Sequence, residues 1–254
     1  MNDSKISRIG LIQGFTEGSL QTFVFLWSPA LRAFAKSAPK GALGIDTNGE
    51  PAYGLIFGAF MACGVLGGFG EPMFRKLITK LTVTEKDDKI LSKEDTSKSE
   101  GSSEQDGKEL QPVAVDFLCT ICYLTSALLF LTPVLVKKDS PHSFTICVGA
   151  FLIYELMVGL YMPCEGVIRS MYMPNESICS LMTMLRVIVN VAVAIGVAST
   201  NYVPFKNAFA ALSVMMVVAA ALQISLVPRK DLARVFAKFV PRSRIIDGNK
   251  VKIA

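Results

Sequence analysis

Charge is scarce in this sequence. Asp, Glu, Lys and Arg make up 19% of its 254 residues against 51% hydrophobic, and the mean hydropathy is +0.44. A soluble domain carries about a quarter charged residues, so the shortage points to a polytopic membrane protein. Histidine occurs once, as His142 beside Pro141 in the segment KKDSPHS. With no second ligand nearby it reads as a solvated turn, not a metal site. The six cysteines all fall within or at the ends of apolar runs, which argues against a secreted disulfide framework. The spacing of Cys119 and Cys122 matches a redox motif only as a string, because the polar segments supply no histidine partner and no soluble βαβ context. Those segments also lack a nucleophile and base pair, metal-ligand spacing and a Gly-rich phosphate loop, so an enzyme is not expected and no cofactor is implied. The formal charge of +5 resides in loops and tails without interleaved aromatics, which argues against nucleic acid as a partner. A cleavable signal peptide is not expected from this stretch either, since the first apolar run continues past any small-residue cleavage site.

What is present is a succession of six apolar runs of membrane-spanning length. The first, Ile9 to Leu31, carries Gln13, Glu17 and Gln21 at i, i+4 and i+8, on one helical face, with Trp27 and Pro29 near its far end. The second, about Ala52 to Gly70, holds GLIFG at Gly54 and Gly58 followed by Gly64, Gly67 and Gly68, a pattern of close helix packing. Glu71 and Pro72 are expected to close it. A hydrophilic stretch without aromatics follows and reads as disordered. The third span runs from about Val113 to Val136, with Asp116 placed to reach the interface. The fourth runs from Phe144 to Pro163 with Glu155 at its centre, and beyond it Glu165 and Arg169 stand at i and i+4 as an expected exposed helical pair. The fifth, Ser177 to Ser199, is 23 residues long, enough for a hydrocarbon core of about 30 Å. Thr183, Arg186 and Asn190 share one of its faces. The sixth runs from Asn207 to Val227. In the tail, Leu232, Val235, Phe236, Phe239 and Val240 follow the amphipathic pattern, and the surrounding Lys and Arg residues suit an anionic leaflet of the lipid bilayer.

This divides the chain into 1–81, holding the first two helices of a three-helix repeat, a disordered cytoplasmic linker over 82–111, four further helices over 112–228, and a basic amphipathic cytoplasmic tail over 229–254. The fold class expected is all-α integral membrane, with six transmembrane helices. Of the 26 Lys and Arg residues, 19 fall on the side holding both termini and six on the other, Arg186 being the last. The positive-inside rule then places both termini in the cytoplasm.

Arg186 is the costly residue. A guanidinium near the bilayer centre costs at least ~2.5 to 3.5 kcal/mol and usually faces a bundle interior or a wet pathway. Counted from the helix ends, Glu17 and Arg186 both lie roughly 12 to 14 Å deep, and Glu155 also reaches the middle. Three ionisable groups at one level suggest one locus, either self-paired, pinning helices together, or wet. If the arginine keeps charge to spare, its paired N–H donors suit a tetrahedral oxyanion. Secondary transporters bind substrates at this depth, between repeats of three helices.

Four stretches sharpen this reading: EGSLQTFVFLWSPAL from Glu17, GLIFGAFMACGVLG from Gly54, LIYELMVGLYMP from Leu152, and LRV around Arg186. In these the sequence resembles the molybdate-anion transporter family of the major facilitator superfamily, over nearly all six spans and in their order, as its carboxyl-terminal half. The resemblance implies a 3+3 helical repeat forming half of a major facilitator fold. It also implies a rocker-switch permease for molybdate or a related oxyanion, bound by Arg186 while Glu17, Gln21, Glu155 and Asn190 shape or couple the site. Half of such a fold provides one wall of a pathway, so a homodimer or an amino-terminal half is the expected complement. The membrane is expected to be the plasma membrane, with an endomembrane as the alternative. The competing expectation is a non-transporting scaffold or assembly subunit derived from a truncated transporter, in which Glu and Arg pairs only hold helices together.

Overall fold

In lipid the backbone must satisfy its own hydrogen bonds, so long apolar runs have no alternative to the helix. The computed structural model describes residues 3–39, 41–82, 103–172, 178–199, 203–228 and Leu232. Among them the chain forms six helices, α1 (Asp3–Ala35), α2 (Tyr53–Thr82), α3 (Ser103–Leu135), α4 (Ser143–Tyr172), α5 (Ile178–Ser199) and α6 (Phe205–Ile224). The amphipathic pattern of the tail lies outside the described residues except for Leu232, and so does 83–102 of the expected linker. The rest of that stretch, from Ser103 onward, continues into α3 as helix.

The second span was expected to close at Glu71 and Pro72, yet α2 passes through Pro72. The fourth was expected to reach Pro163 with a helical pair beyond it, and α4 runs through Pro163 as one helix. Each proline lacks the N–H that would bond the carbonyl four residues back, which is Gly68 in α2 and Gly159 in α4. Membrane helices tolerate such interruptions where neighbouring groups accommodate the freed backbone.

The helices pack as a bundle in which α4 touches α1, α2 and α3, and α6 touches α1 and α3, while α5 lies chiefly against α1. Phe23 of α1 is the junction, fully buried, with ring centroids 6.1 Å from Phe60 of α2, 5.9 Å from Phe130 of α3, and 5.1 and 4.8 Å from Phe151 and Tyr154 of α4. Because lipid tails are as apolar as the side chains, such packing replaces the hydrophobic effect as the force between helices. The bundle's ends are tied by polar contacts. At one, the Lys206 ammonium donates to the carbonyls of Val134 and Val136, at 3.1 and 3.3 Å, supplying a cation at the C-terminus of α3. At the other, Arg8 donates to the carbonyl of Ser225 at 3.3 Å, so the start of α1 meets the end of α6.

Among the described residues, four helical segments are long and apolar enough to cross a membrane, Tyr53–Lys80, Val113–Leu135, Ser143–Tyr172 and Phe205–Ile224, and α5 adds a shorter apolar stretch, Met182–Val191. In α1 the residues Gln13, Thr16, Glu17, Ser19, Gln21 and Thr22 dilute the apolar character.

Candidate functional site

Glu17 of α1 falls on the side that receives α5. Nearby, Gly14 faces the side chain of Val189, which would lie 3.8 Å from an added methyl group. One turn further along α1 the Glu17 carboxylate meets the Arg186 guanidinium, with Oε1 3.6 Å from Nε. The second carboxylate oxygen accepts from Nε2 of Gln13 at 3.3 Å. Gln13 is itself buried, and its Oε1 has no hydrogen-bond partner among the described residues.

The two ends of the ion pair differ in exposure. The Glu17 side chain is 18% exposed and that of Arg186 65%, so the cation projects from the bundle surface. Asn190 and Thr183, on the same helix, and Gln21 on α1 are exposed as well. Thr183 turns its hydroxyl back to the carbonyl of Cys179, at 2.8 Å. Gln21, Arg186 and Asn190 are thus all exposed, as are Met184, Val187 and Val191 of α5, and among the described residues no contact joins Gln21 or Asn190 to Arg186. Among the described residues Glu17 is the one acidic partner of Arg186, which leaves the outward donors of the guanidinium for another group.

Glu155 stands elsewhere. It is buried in the seam between α4 and α2, where its Oε2 lies 4.0 Å from the position a side chain on Gly64 would occupy. No contact among the described residues joins it to Glu17 or Arg186. The sequence places three charges at one level, and the fold distributes them between two loci.

Two further carboxylates correct the sequence reading. Glu165 was expected on an exposed face, yet it is buried and accepts from the Tyr123 hydroxyl at 2.8 Å. Arg169 does stand near it, Nη1 to Oε2 at 4.0 Å, as the i, i+4 spacing implies. Asp116, expected to reach the interface, is only 1% exposed and accepts from the Gln223 amide at 2.7 Å. Gln13, Glu165, Arg169 and Gln223 line a narrow cleft with Ile9, Ile12 and Ile168. Local sequence could not reveal these pairings, because the donors come from distant helices. Among the described residues no group of three His, Cys, Asp or Glu side chains is arranged to hold a metal ion.

A family model described as sugar transporters with 12 transmembrane helices matches residues 1–91. The molybdate-anion transporter of Xenopus tropicalis is 24% identical over 230 residues, covering 89% of this chain and 40% of that protein. That of Takifugu rubripes is 22% identical over 201 residues, covering 79% of this chain and 32% of its own length. The chain is thus similar to the molybdate-anion transporters over most of its own length. It spans about 40% of the length of the Xenopus tropicalis transporter and less of the Takifugu one. No solved structure matches it. The all-helical bundle agrees with part of a facilitator fold, and its apolar helices make it a membrane protein.

Proposed function

We propose that this chain forms one six-helix wall of a secondary transporter that moves molybdate, or an oxyanion of the same tetrahedral chemistry, by alternating access. It is a multi-pass protein with both termini cytoplasmic, and the opposite wall comes from a second copy or from an amino-terminal half. The exposed Arg186 carries this reading. A guanidinium on the outside of an apolar helix needs an aqueous pathway or a partner, and its remaining N–H donors fit paired oxyanion oxygens. Glu17 orients the guanidinium from one side and leaves the pair near neutrality, so an anion can be released as well as bound. Asn190 and Gln21, one turn on along each helix, supply amide donors. The names of the relatives support the choice of molybdate.

Uptake of isotopically labelled molybdate into vesicles containing the active assembly tests the proposal. A charge-assisted hydrogen bond contributes about 1.5 to 3 kcal/mol, so Arg186→Ala should lower uptake by roughly 10- to 150-fold at subsaturating substrate. Uptake unchanged in that variant sinks the assignment. The scaffold reading draws on the same Glu17 and Arg186 pair, and it predicts a different result. Exchanging the two residues would restore stability, and molybdate would not shift the unfolding temperature of the wild-type protein.

A further inference from the structure

Among the described residues, five carboxylates lie within the helices at low exposure, and their partners separate them. Glu17 has Arg186. Glu71 has Arg75 at 3.3 Å and the Cys164 thiol at 3.4 Å. Glu165 has the Tyr123 hydroxyl, and Asp116 has the Gln223 amide. Glu155 is the exception: it is 6% exposed, and among the described residues no cation or hydrogen-bond donor reaches its carboxyl group.

Its neighbours on each packed element are specific. From α2 come the Gly64 backbone and Cys63. On its own helix the adjacent Tyr154 is covered by Phe23 of α1 and Phe130 of α3. Among the described residues, no charged side chain of α1, α2 or α3 acts on Glu155. A carboxylate in mid-span without a counter-charge is stable in apolar surroundings only with its proton attached.

The seam beside it joins close backbone packing to two proline interruptions. An added methyl group at Gly67 would collide with the Leu156 carbonyl, and one at Gly159 with the Gly64 carbonyl, so the two backbones touch there. Just beyond this contact, Pro72 and Pro163 remove the helix bonds of the Gly68 and Gly159 carbonyls. Each helix is therefore interrupted at the same level, next to the unpartnered carboxyl.

We infer that Glu155 is a proton-carrying site in the α2 and α4 seam, separate from the Arg186 and Glu17 pair. With the seam closed, the carboxyl keeps its proton. When the helices part at their proline interruptions and water enters, the O–H bond breaks, the proton passes to water and the carboxylate remains. Closure reverses the step. Linkage of this step to oxyanion movement rests on the transport reading above, whereas the proton site itself does not.

The test uses the full chain in membrane vesicles and dicyclohexylcarbodiimide, an apolar reagent that adds to protonated carboxyl groups. Peptide mass spectrometry should find Glu155 modified, with labelling falling at least fivefold between pH 6 and pH 9, and Glu17 unmodified. Glu155→Gln should remove the modification at that peptide. Absence of label at Glu155 throughout this range, or labelling independent of pH, overturns the proton site. In proteoliposomes, an imposed acid gradient should accelerate molybdate uptake by the wild type. Glu155→Gln should keep molybdate counterflow and lose that acceleration; an undiminished response in the variant overturns the coupling. If the wild type moves no molybdate under any gradient, the transport reading fails, and the labelling experiment still decides the proton site.

Discussion

Tyr123 and Gln223 each serve a buried carboxylate on another element, and a single substitution isolates each service. Tyr123→Phe keeps the ring that packs 5.2 Å from Tyr161 and removes only the hydroxyl that Glu165 accepts from. Gln223→Leu likewise strips Asp116 of its amide. Within a membrane protein, interhelical hydrogen bonds average about 0.6 kcal/mol with a maximum near 1.7. Each variant should therefore lower stability by about 0.6 to 1.7 kcal/mol, read as a reduced thermal midpoint in detergent micelles, and an unchanged midpoint would show these bonds to be idle. The same residues mark where sequence stopped being informative. Glu17, Glu155 and Arg186 stood out because each interrupts an apolar run. Asp116 and Glu165 lie near the ends of their runs, where solvent is the default partner, and their true partners are 107 and 42 residues away.

At the scale of the helix, the glycines of α2 sort into two kinds. Nothing lies within 4 Å of a side chain added at Gly54 or Gly58, whereas Gly67, like Gly159 of α4, has backbone of the facing helix in the way. Gly159→Ala must push α2 and α4 apart, and overpacking of this sort costs typically about 1 to 3 kcal/mol. Gly58→Ala meets open space and gains helix propensity of roughly 0.8 to 1 kcal/mol. Thermal unfolding of the two variants should therefore move in opposite directions. Equal shifts would deny the seam. The sequence marks α2 as a packing helix through its small residues, but spacing alone does not say which glycines face the partner. That depends on α4, whose own Gly159 lies nearly a hundred residues on. Pro72 misled for a related reason: a breaker in water becomes a tolerated interruption in lipid, and α2 continues past it.

For the whole molecule, composition and run length already convey an all-helical membrane bundle, and the order of six helices follows from the order of apolar runs. The arrangement of those helices does not follow. Nothing local tells that α4 is central or that α5 is peripheral. The proposed topology is open to a direct check. Epitope tags at the two termini should both be reached only after permeabilisation of the plasma membrane, or from the cytosolic face of isolated organelles, while a tag beside Asn48 should be reached from the opposite face. Termini on opposite faces would remove one of the six crossings.

The attachment of α5 chiefly to α1 also has a consequence for how the protein is made. Glu17 is synthesised ahead of α2, α3 and α4, and four more helices begin before Arg186 follows. Throughout that interval the nascent chain holds an acidic residue in the bilayer without its basic mate. The insertion machinery has to shelter α1 until α5 arrives, and a polypeptide released before residue 178 keeps that defect permanently. Such a fragment should be short-lived in cells, and pulse-chase decay of chains cut before and after α5 would reveal the difference.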